Sequence, residues 1–296
     1  MLFTIAIPTY NNSNTILKAI NSCLNIEFEE NEYEILIVNN ASTDNTKEIL
    51  KRITDSRVRI VENKKTVDLF ENHNICFKEA RGDYIVFCHS DDKVQRNILK
   101  ILKRKLEERN YPEKYIIWGQ SMFRDFYNFW GYFKINYNTI ISGERAIKIF
   151  AIPNGLTPSG TCYSRKSIIE IGGFYKMKSR TTPSDWTIML NAALNEFEFE
   201  MLDRLLFIRT YASTAVGITK KNRKQGIYDA FEEFKNKQSE ENIIKVRNSL
   251  FQTSHVLGYK LLKKYYNITF KEKVKYLIKA LIKNPKVLLQ ILLNKF

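Results

Sequence analysis

Asp83-Tyr84-Ile85-Val86-Phe87-Cys88-His89-Ser90-Asp91-Asp92 is an apolar run of strand length that ends in two adjacent acids. A short continuous apolar run bounded by polar residues reads as a strand buried on both faces, the kind found in parallel sheets. Its neighbours repeat the pattern. Working back toward the start, Arg57–Val61, Glu34–Val38 and Phe3–Ile7 are further strand candidates, and Tyr115–Trp118 follows downstream. Helical spacing fills the gaps, as in Ile16, Leu17, Ile20 and Leu24, and again in Ile98, Leu99, Leu102 and Leu106. Further helices are expected from about Asp44 to Thr46 onward and over Val67 to Ala80, while Asn11-Asn12-Ser13-Asn14 has the composition to cap the first. Strands alternating with helices predict βαβ units and an α/β fold with a mainly parallel sheet.

Right-handed crossovers point parallel strands one way, so the loops after them gather at the carboxyl edge of the sheet. Those loops carry Pro8-Thr9-Tyr10-Asn11, Asn39-Asn40-Ala41-Ser42-Thr43-Asp44, Glu62-Asn63 and His89-Ser90-Asp91-Asp92. The polar chemistry therefore converges on one crevice. Carboxylates at the end of a buried strand can hold a divalent cation that neutralises a diphosphate leaving group, and they can equally cap the helix expected after Asp92. No GxGxxG follows the first strand and no GxxxxGK[ST] occurs, which removes the main support for dinucleotide dehydrogenases and P-loop phosphotransferases.

With 44% hydrophobic residues among 296, the chain has enough apolar material for a sizeable core. Four cysteines without a CxxC pair suggest neither a disulfide scaffold nor a zinc ribbon, so a reduced, cytoplasmic setting is expected. The N-terminus shows no signal-peptide pattern, and no stretch approaches eighteen uncharged apolar residues. The net charge of +15 is uneven: from Ile243 to Phe296 twelve Lys and Arg face one acid, Glu272, a local balance of +11. An evenly basic chain would suggest nucleic acid, whereas a basic and apolar tail suggests an anionic membrane surface.

Several stretches together resemble family 2 glycosyltransferases of the GT-A fold. They are Ile5-Ala6-Ile7-Pro8-Thr9-Tyr10-Asn11, the run Ile35 to Thr46 with its Asn39-Asn40-Ala41-Ser42-Thr43-Asp44 loop, Ala80-Arg81-Gly82-Asp83 leading into Ser90-Asp91-Asp92, Ile171-Gly172-Gly173-Phe174, and Ser184-Asp185-Trp186. The resemblance covers roughly residues 2–215 and rests on five elements in order. It implies transfer of a sugar from a nucleotide-sugar donor, UDP-linked by preference, with inversion at the anomeric carbon. On that reading Pro8, Thr9, Tyr10 and Asn11 meet the nucleotide, with Asn39, Asn40 and Ser42 near base or ribose. Asp91 matches the acid near the ribose and Asp92 the acid that binds Mn²⁺ or Mg²⁺.

The sequence also departs from the family. Asn39 and Asn40 stand where an acid is usual, Tyr211 where many relatives carry histidine, and Glu71-Asn72-His73-Asn74 where many have an arginine. His89 reads as a loop or cap residue rather than a ligand.

Asp185 is the candidate general base, since an inverting displacement needs one carboxylate at the acceptor hydroxyl; with Ser184 as cap it could instead be a helix N-terminal charge. Trp186 can stack on the acceptor or fill core, and Gly160, in Gly155-Leu156-Thr157-Pro158-Ser159-Gly160-Thr161, belongs to a second candidate acceptor loop or a plain turn. Eight of the fifteen residues from Phe123 to Tyr137 are aromatic, which suits sugar, lipid headgroups or packing alike.

The expected organisation is a glycosyltransferase domain at about 1–218, with a nucleotide half at about 1–92 and an acceptor half at 93–218, then a basic helical extension at 219–296. Between Phe270 and Phe296 two short helices divided near Pro285 are expected to pack on the domain, pair with another subunit or lie on a bilayer. The third possibility places the chain peripherally at the inner face of the cell membrane, acting on a saccharide or lipid-linked acceptor in surface polysaccharide or glycolipid assembly. A sugar-nucleotide pyrophosphorylase and a non-catalytic binding module are the rival classes.

Overall fold

In a computed structural model that describes residues 1–121, 136–153, 158–176, 184–209 and 220–283, with 285, 288 and 291, the first third alternates strand and helix. Strands β1 (Phe3–Thr9), β2 (Tyr33–Asn39), β3 (Val58–Glu62) and β4 (Tyr84–Phe87) are separated by helices α1 (Ile16–Leu24), α2 (Thr46–Leu50) and α3 (Leu69–Glu79). A short β5 (Lys93–Val94), α4 (Ile98–Glu108), β6 (Tyr115–Ser121), β7 (Ile140–Ile141), α5 (Gly143–Phe150), β8 (Cys162–Ser164), α6 (Arg165–Glu170), α7 (Ser184–Leu194) and β9 (Glu198–Ile208) follow. Four helices close the described chain: α8 (Lys220–Asn236), α9 (Glu240–Thr253), α10 (Val256–Tyr265) and α11 (Phe270–Lys283).

Nine strands among the described residues form one sheet in the order β3-β2-β1-β4-β8-β6-β9-β5, with β7 also paired to β9. Strands β3, β2, β1 and β4 are mutually parallel, and β8 runs antiparallel between β4 and β6. Every residue of β1, β2 and β4 is buried, because helices cover both faces of the sheet. That double cover is why these strands read as unbroken apolar runs. Helices α1 and α4 pack Ile20, Cys23, Leu99 and Leu102 against Ile5, Ile7 and Ile35 on one face. On the other, Ala6, Leu36 and Phe87 share a core with α3, α5, α7 and the C-terminal helices.

Arg81-Gly82-Asp83 lies at the amino edge of the sheet, away from the loops of interest. A Cβ on Gly82 would stand 2.4 Å from the Phe3 carbonyl carbon, so only glycine lets the chain pass there. The Arg81 and Gly82 amides donate to Glu34 and to the Thr4 hydroxyl, which itself donates to Glu34 at 2.9 Å. This part of the resemblance is structural. All four cysteines are buried and free.

Candidate active site

Parallel pairing sets Thr9, Asn39 and Glu62 side by side at the carboxyl ends of β1, β2 and β3. The polar run after β1 does not cap α1, whose first residue follows Thr15 with no side-chain cap. It is tied across to the loop after β2 instead: Asn11 N donates to Ser42 Oγ at 3.0 Å, Asn12 N to Thr46 Oγ1 at 3.0 Å and Ser13 N to Asp44 Oδ2 at 3.0 Å. Burial opposes ionisation of Asp44, but the bonds from Thr46 and Ser13 outweigh it and hold its pKa down at about 2. Asn11 and Ala41 take left-handed backbone, φ +54° and +53°, within this pair of interlocked turns.

Asn39 and Asn40 are buried and already engaged. Asn39 donates to Glu62 Oε2 at 2.9 Å and accepts from Ser42 Oγ at 2.5 Å; Asn40 pairs both ways with Val67 at 2.9 Å. Glu62, on the adjacent strand, thus brings a carboxylate beside Asn39. Among the expected nucleotide contacts, Tyr10 is 42% exposed, Asn11 is exposed as well, and the buried Thr9 Oγ1 has no hydrogen-bond partner among the described residues. A buried hydroxyl left unpaired is costly unless a ligand or water completes it.

The acid pair does not cap a helix. Asp92 N donates to His89 O at 2.9 Å, closing a turn, and β5 then separates it from α4, which begins at Ile98. His89, Asp91 and Asp92 each bring one ligand atom within 4.8 Å of the others. One nitrogen and two carboxylate oxygens at that spacing fit a small divalent cation. Burial, reinforced by the neighbouring Asp92 charge, raises the Asp91 pKa above the ordinary carboxylate range. Ser159 Oγ accepts from His89 N at 2.9 Å and so fixes the turn to the segment before β8.

Asp185 opens α7, and burial raises its pKa to about 6 despite bonds from the backbone amides and the Arg209 charge. Ser184 is the first residue of α7 rather than the residue before it, and its hydroxyl donates to Tyr175 O at 2.6 Å. Arg209, immediately after β9, also acts electrostatically on His89 and Asp91. The acid turn and Asp185 therefore both lie within electrostatic reach of Arg209.

Trp186 and Gly160 belong to the core rather than to an acceptor surface. The Trp186 ring is 1% exposed, donates to Phe150 O at 2.7 Å and stacks on Phe231 at 6.0 Å and 14°. Gly160 is buried with φ +73°, and a Cβ there would meet the Phe207 ring at 2.3 Å. Arg209 carries no mark in the sequence, and Glu62, Ser159 and His73 stand there only within longer stretches, since the partner that gives each its place is distant in sequence. Of the remaining expectations, Phe123 to Trp130 and on to residue 135, residues 155–157 and Tyr211 lie outside the described residues.

The chain belongs to glycosyl transferase family 2, whose sequence pattern matches residues 4–172. Its structure is that of a GT-A glycosyltransferase: a Staphylococcus aureus TarS structure in complex with UDP-GlcNAc matches all of this chain and 93% of its own, with TM-score 0.62 at 16% identity. The Pyrobaculum calidifontis mannosyltransferase in complex with GDP-Man and Mn²⁺ covers 99% of this chain and 88% of its own, with TM-score 0.61 at 14% identity. By sequence, poly(ribitol-phosphate) beta-N-acetylglucosaminyltransferase TarS of S. aureus is 28% identical over 117 residues, 37% of this chain and 20% of that protein. UDP-Glc:alpha-D-GlcNAc-diphosphoundecaprenol beta-1,3-glucosyltransferase WfaP of Escherichia coli is 35% identical over 91 residues, 31% of this chain and 36% of its own length. The chain spans between 15% and 49% of the length of the curated relatives it matches.

Proposed function

We propose that this chain is a metal-dependent, inverting glycosyltransferase that moves a hexosyl or N-acetylhexosaminyl unit from a UDP-sugar to a saccharide or lipid-linked acceptor. The observation that carries this reading is the His89, Asp91 and Asp92 cluster after β4, with Asp91 and Asp185 both feeling the charge of Arg209. The UDP-GlcNAc complex of a structural neighbour and the UDP-Glc named for a relative support the choice of nucleotide.

Thr9 and Tyr10 bind the nucleotide, with the Asn39–Glu62 pair at its far side. Asp92, with Asp91 and His89, would hold a divalent ion, which when bound would offset the charge on the departing diphosphate. Arg209 adds positive charge on the same side, in place of the arginine absent from α3. Asp185 accepts the proton of the acceptor hydroxyl as that oxygen bonds to the anomeric carbon and the sugar–phosphate bond breaks. A pKa near 6 leaves Asp185 ionised at neutral pH yet more basic than an ordinary aspartate.

The acceptor side of the proposal includes the membrane. On α11, Phe270, Val274, Ile278, Leu281 and Ile282 are 80%, 37%, 53%, 50% and 76% exposed and recur at helical spacing, framed by Lys271, Lys275, Lys279 and Lys283. No helix among the described residues is long and apolar enough to cross a bilayer, so peripheral contact is the mode this face suits.

Incubation with a panel of nucleotide sugars and Mn²⁺ tests the activity through release of nucleoside diphosphate. Release from a UDP-sugar supports it. Binding without release would mean a non-catalytic module, and a requirement for a nucleoside triphosphate would mean a pyrophosphorylase.

A further inference from the structure

His73 is wholly buried on the inward side of α3, with its ring 5.4 Å from Phe70, 5.0 Å from Phe87 and 5.4 Å from Phe174. Neither nitrogen can turn to water. Nδ1 lies 2.8 Å from the Leu69 carbonyl oxygen, an atom that can only accept, so Nδ1 carries the proton. The Nε2 atom of His73 is then an acceptor, and 3.1 Å away stands Nε2 of His89, which must donate. One fixed proton therefore dictates the next. His89 is left with its lone pair on Nδ1, the atom 3.9 Å from Asp92 Oδ2. Two acceptors at that separation repel unless a proton or a metal ion lies between them, and ligands about 2.0 to 2.2 Å from a divalent ion stand roughly 3 to 4 Å apart, which the metal reading matches.

We infer that His89 is a nitrogen ligand of the divalent ion beside Asp91 and Asp92, and that His73 is the positioning residue that selects the ligating tautomer of His89. The inference rests on the acid turn being a metal site. It adds a consequence for ion choice. An imidazole among carboxylates shifts the site away from Mg²⁺, which keeps to oxygen ligands, and toward first-row transition ions, of which Mn²⁺ gains least. A histidine oriented by a buried hydrogen-bond partner is also how ligating imidazoles are generally held. Phe174, which follows Gly172 and Gly173, walls the His73 pocket, and Asn74 fixes that loop by two 2.9 Å bonds to the Phe174 backbone.

The test is titration of the full chain with Mn²⁺ and with Mg²⁺, free Mn²⁺ being followed by electron paramagnetic resonance and Mg²⁺ binding by calorimetry. Nitrogen-15 NMR of the metal-free protein reads both histidine tautomers alongside. The expected spectrum has the proton on Nδ1 of His73 and on Nε2 of His89. His89→Ala should weaken Mn²⁺ roughly tenfold to a hundredfold while changing Mg²⁺ much less. His73→Phe should weaken Mn²⁺ similarly, and His73→Gln, whose amide oxygen can accept from His89, should recover part of the loss. Unchanged Mn²⁺ affinity in His89→Ala, equal losses for both ions, or the opposite His89 tautomer would each overturn the inference while leaving Asp92 free to hold metal. Failure of the unmodified protein to bind either ion would instead overturn the metal site itself.

Discussion

Asp185 and Trp186 are adjacent in sequence and opposite in fate. The first residue keeps a carboxylate at the crevice with a pKa near 6, and the second sends its ring into the core. For Asp185→Asn, turnover should fall roughly 10²-fold or more with donor affinity nearly retained, as removal of a general base does. In the unmodified protein kcat/KM should rise with pH through about 6 as Asp185 ionises. Stability should move the other way. An acid whose folded pKa lies above its unfolded value of 3.8 destabilises the fold as pH rises between the two values, so Asp185→Asn should melt higher than the parent at pH 7. A lower melting temperature and normal turnover would return Asp185 to a structural role. Thr9 gives a second separation of function from stability. Its buried hydroxyl is unpaired, so Thr9→Val should leave denaturation midpoints unchanged or slightly raised and weaken UDP binding; loss of stability with normal binding would contradict it. At this scale the place of Asp91 and Asp92 after a buried strand was legible, because an apolar run ending in acids is a local pattern. The sequence could not choose between the crevice and the core for Trp186 or Gly160, since that depends on Phe231 and Phe207.

The third helix shows how an element can be found and still be misread. Its span was legible to within two residues, from Val67–Ala80 expected to Leu69–Glu79 observed, and Asp68 caps it by accepting from the amides of Phe70 and Glu71. Its inward face, however, carries Asn72 and His73 among Phe70, Cys76 and Phe77. Asn72 donates to Val38 O at 3.2 Å, His73 reaches His89, and Asn74 holds the loop at Phe174. Reading Glu71-Asn72-His73-Asn74 as a place where an arginine is absent missed what those residues do, since their partners come from β2, the acid turn and the segment after α6. Asn74→Ala should therefore destabilise the protein by about 2 to 3 kcal/mol, through two buried backbone groups left unpaired. Urea denaturation measures it, and a change below about 0.5 kcal/mol would show that the loop is held otherwise. The helix expected directly after Asp92 starts six residues later, displaced by β5 pairing antiparallel to β9, a contact no local pattern announces.

Across the whole molecule, the basic C-terminal helices share one core with the acceptor half. Ile227, Phe231, Val246, Leu250, Leu261 and Tyr276 belong to the same buried cluster as Phe150 and Trp186. Removing α9 to α11 would uncover that cluster, so the membrane proposal needs point changes on the outward face. Near an anionic leaflet each lysine contributes on the order of 1 kcal/mol, comparable to a partly buried apolar side chain. Ile278→Ser with Ile282→Ser should keep the fold and reduce co-sedimentation with anionic vesicles several-fold. Equal, salt-insensitive sedimentation of both proteins with anionic and neutral vesicles would remove the membrane from the account. The charge asymmetry behind this prediction was plain in the sequence; the outward direction of the apolar residues was not, because the same spacing serves a buried face equally well.

The central claim is that the crevice binds a sugar nucleotide through a metal held at the acid turn, and calorimetric titration of UDP with and without Mn²⁺ addresses it most directly. The account predicts binding that requires Mn²⁺ in the unmodified protein and is lost in Asp92→Ala, with the melting temperature of that variant little changed. Binding of equal strength with and without the ion, and in both proteins, would contradict it.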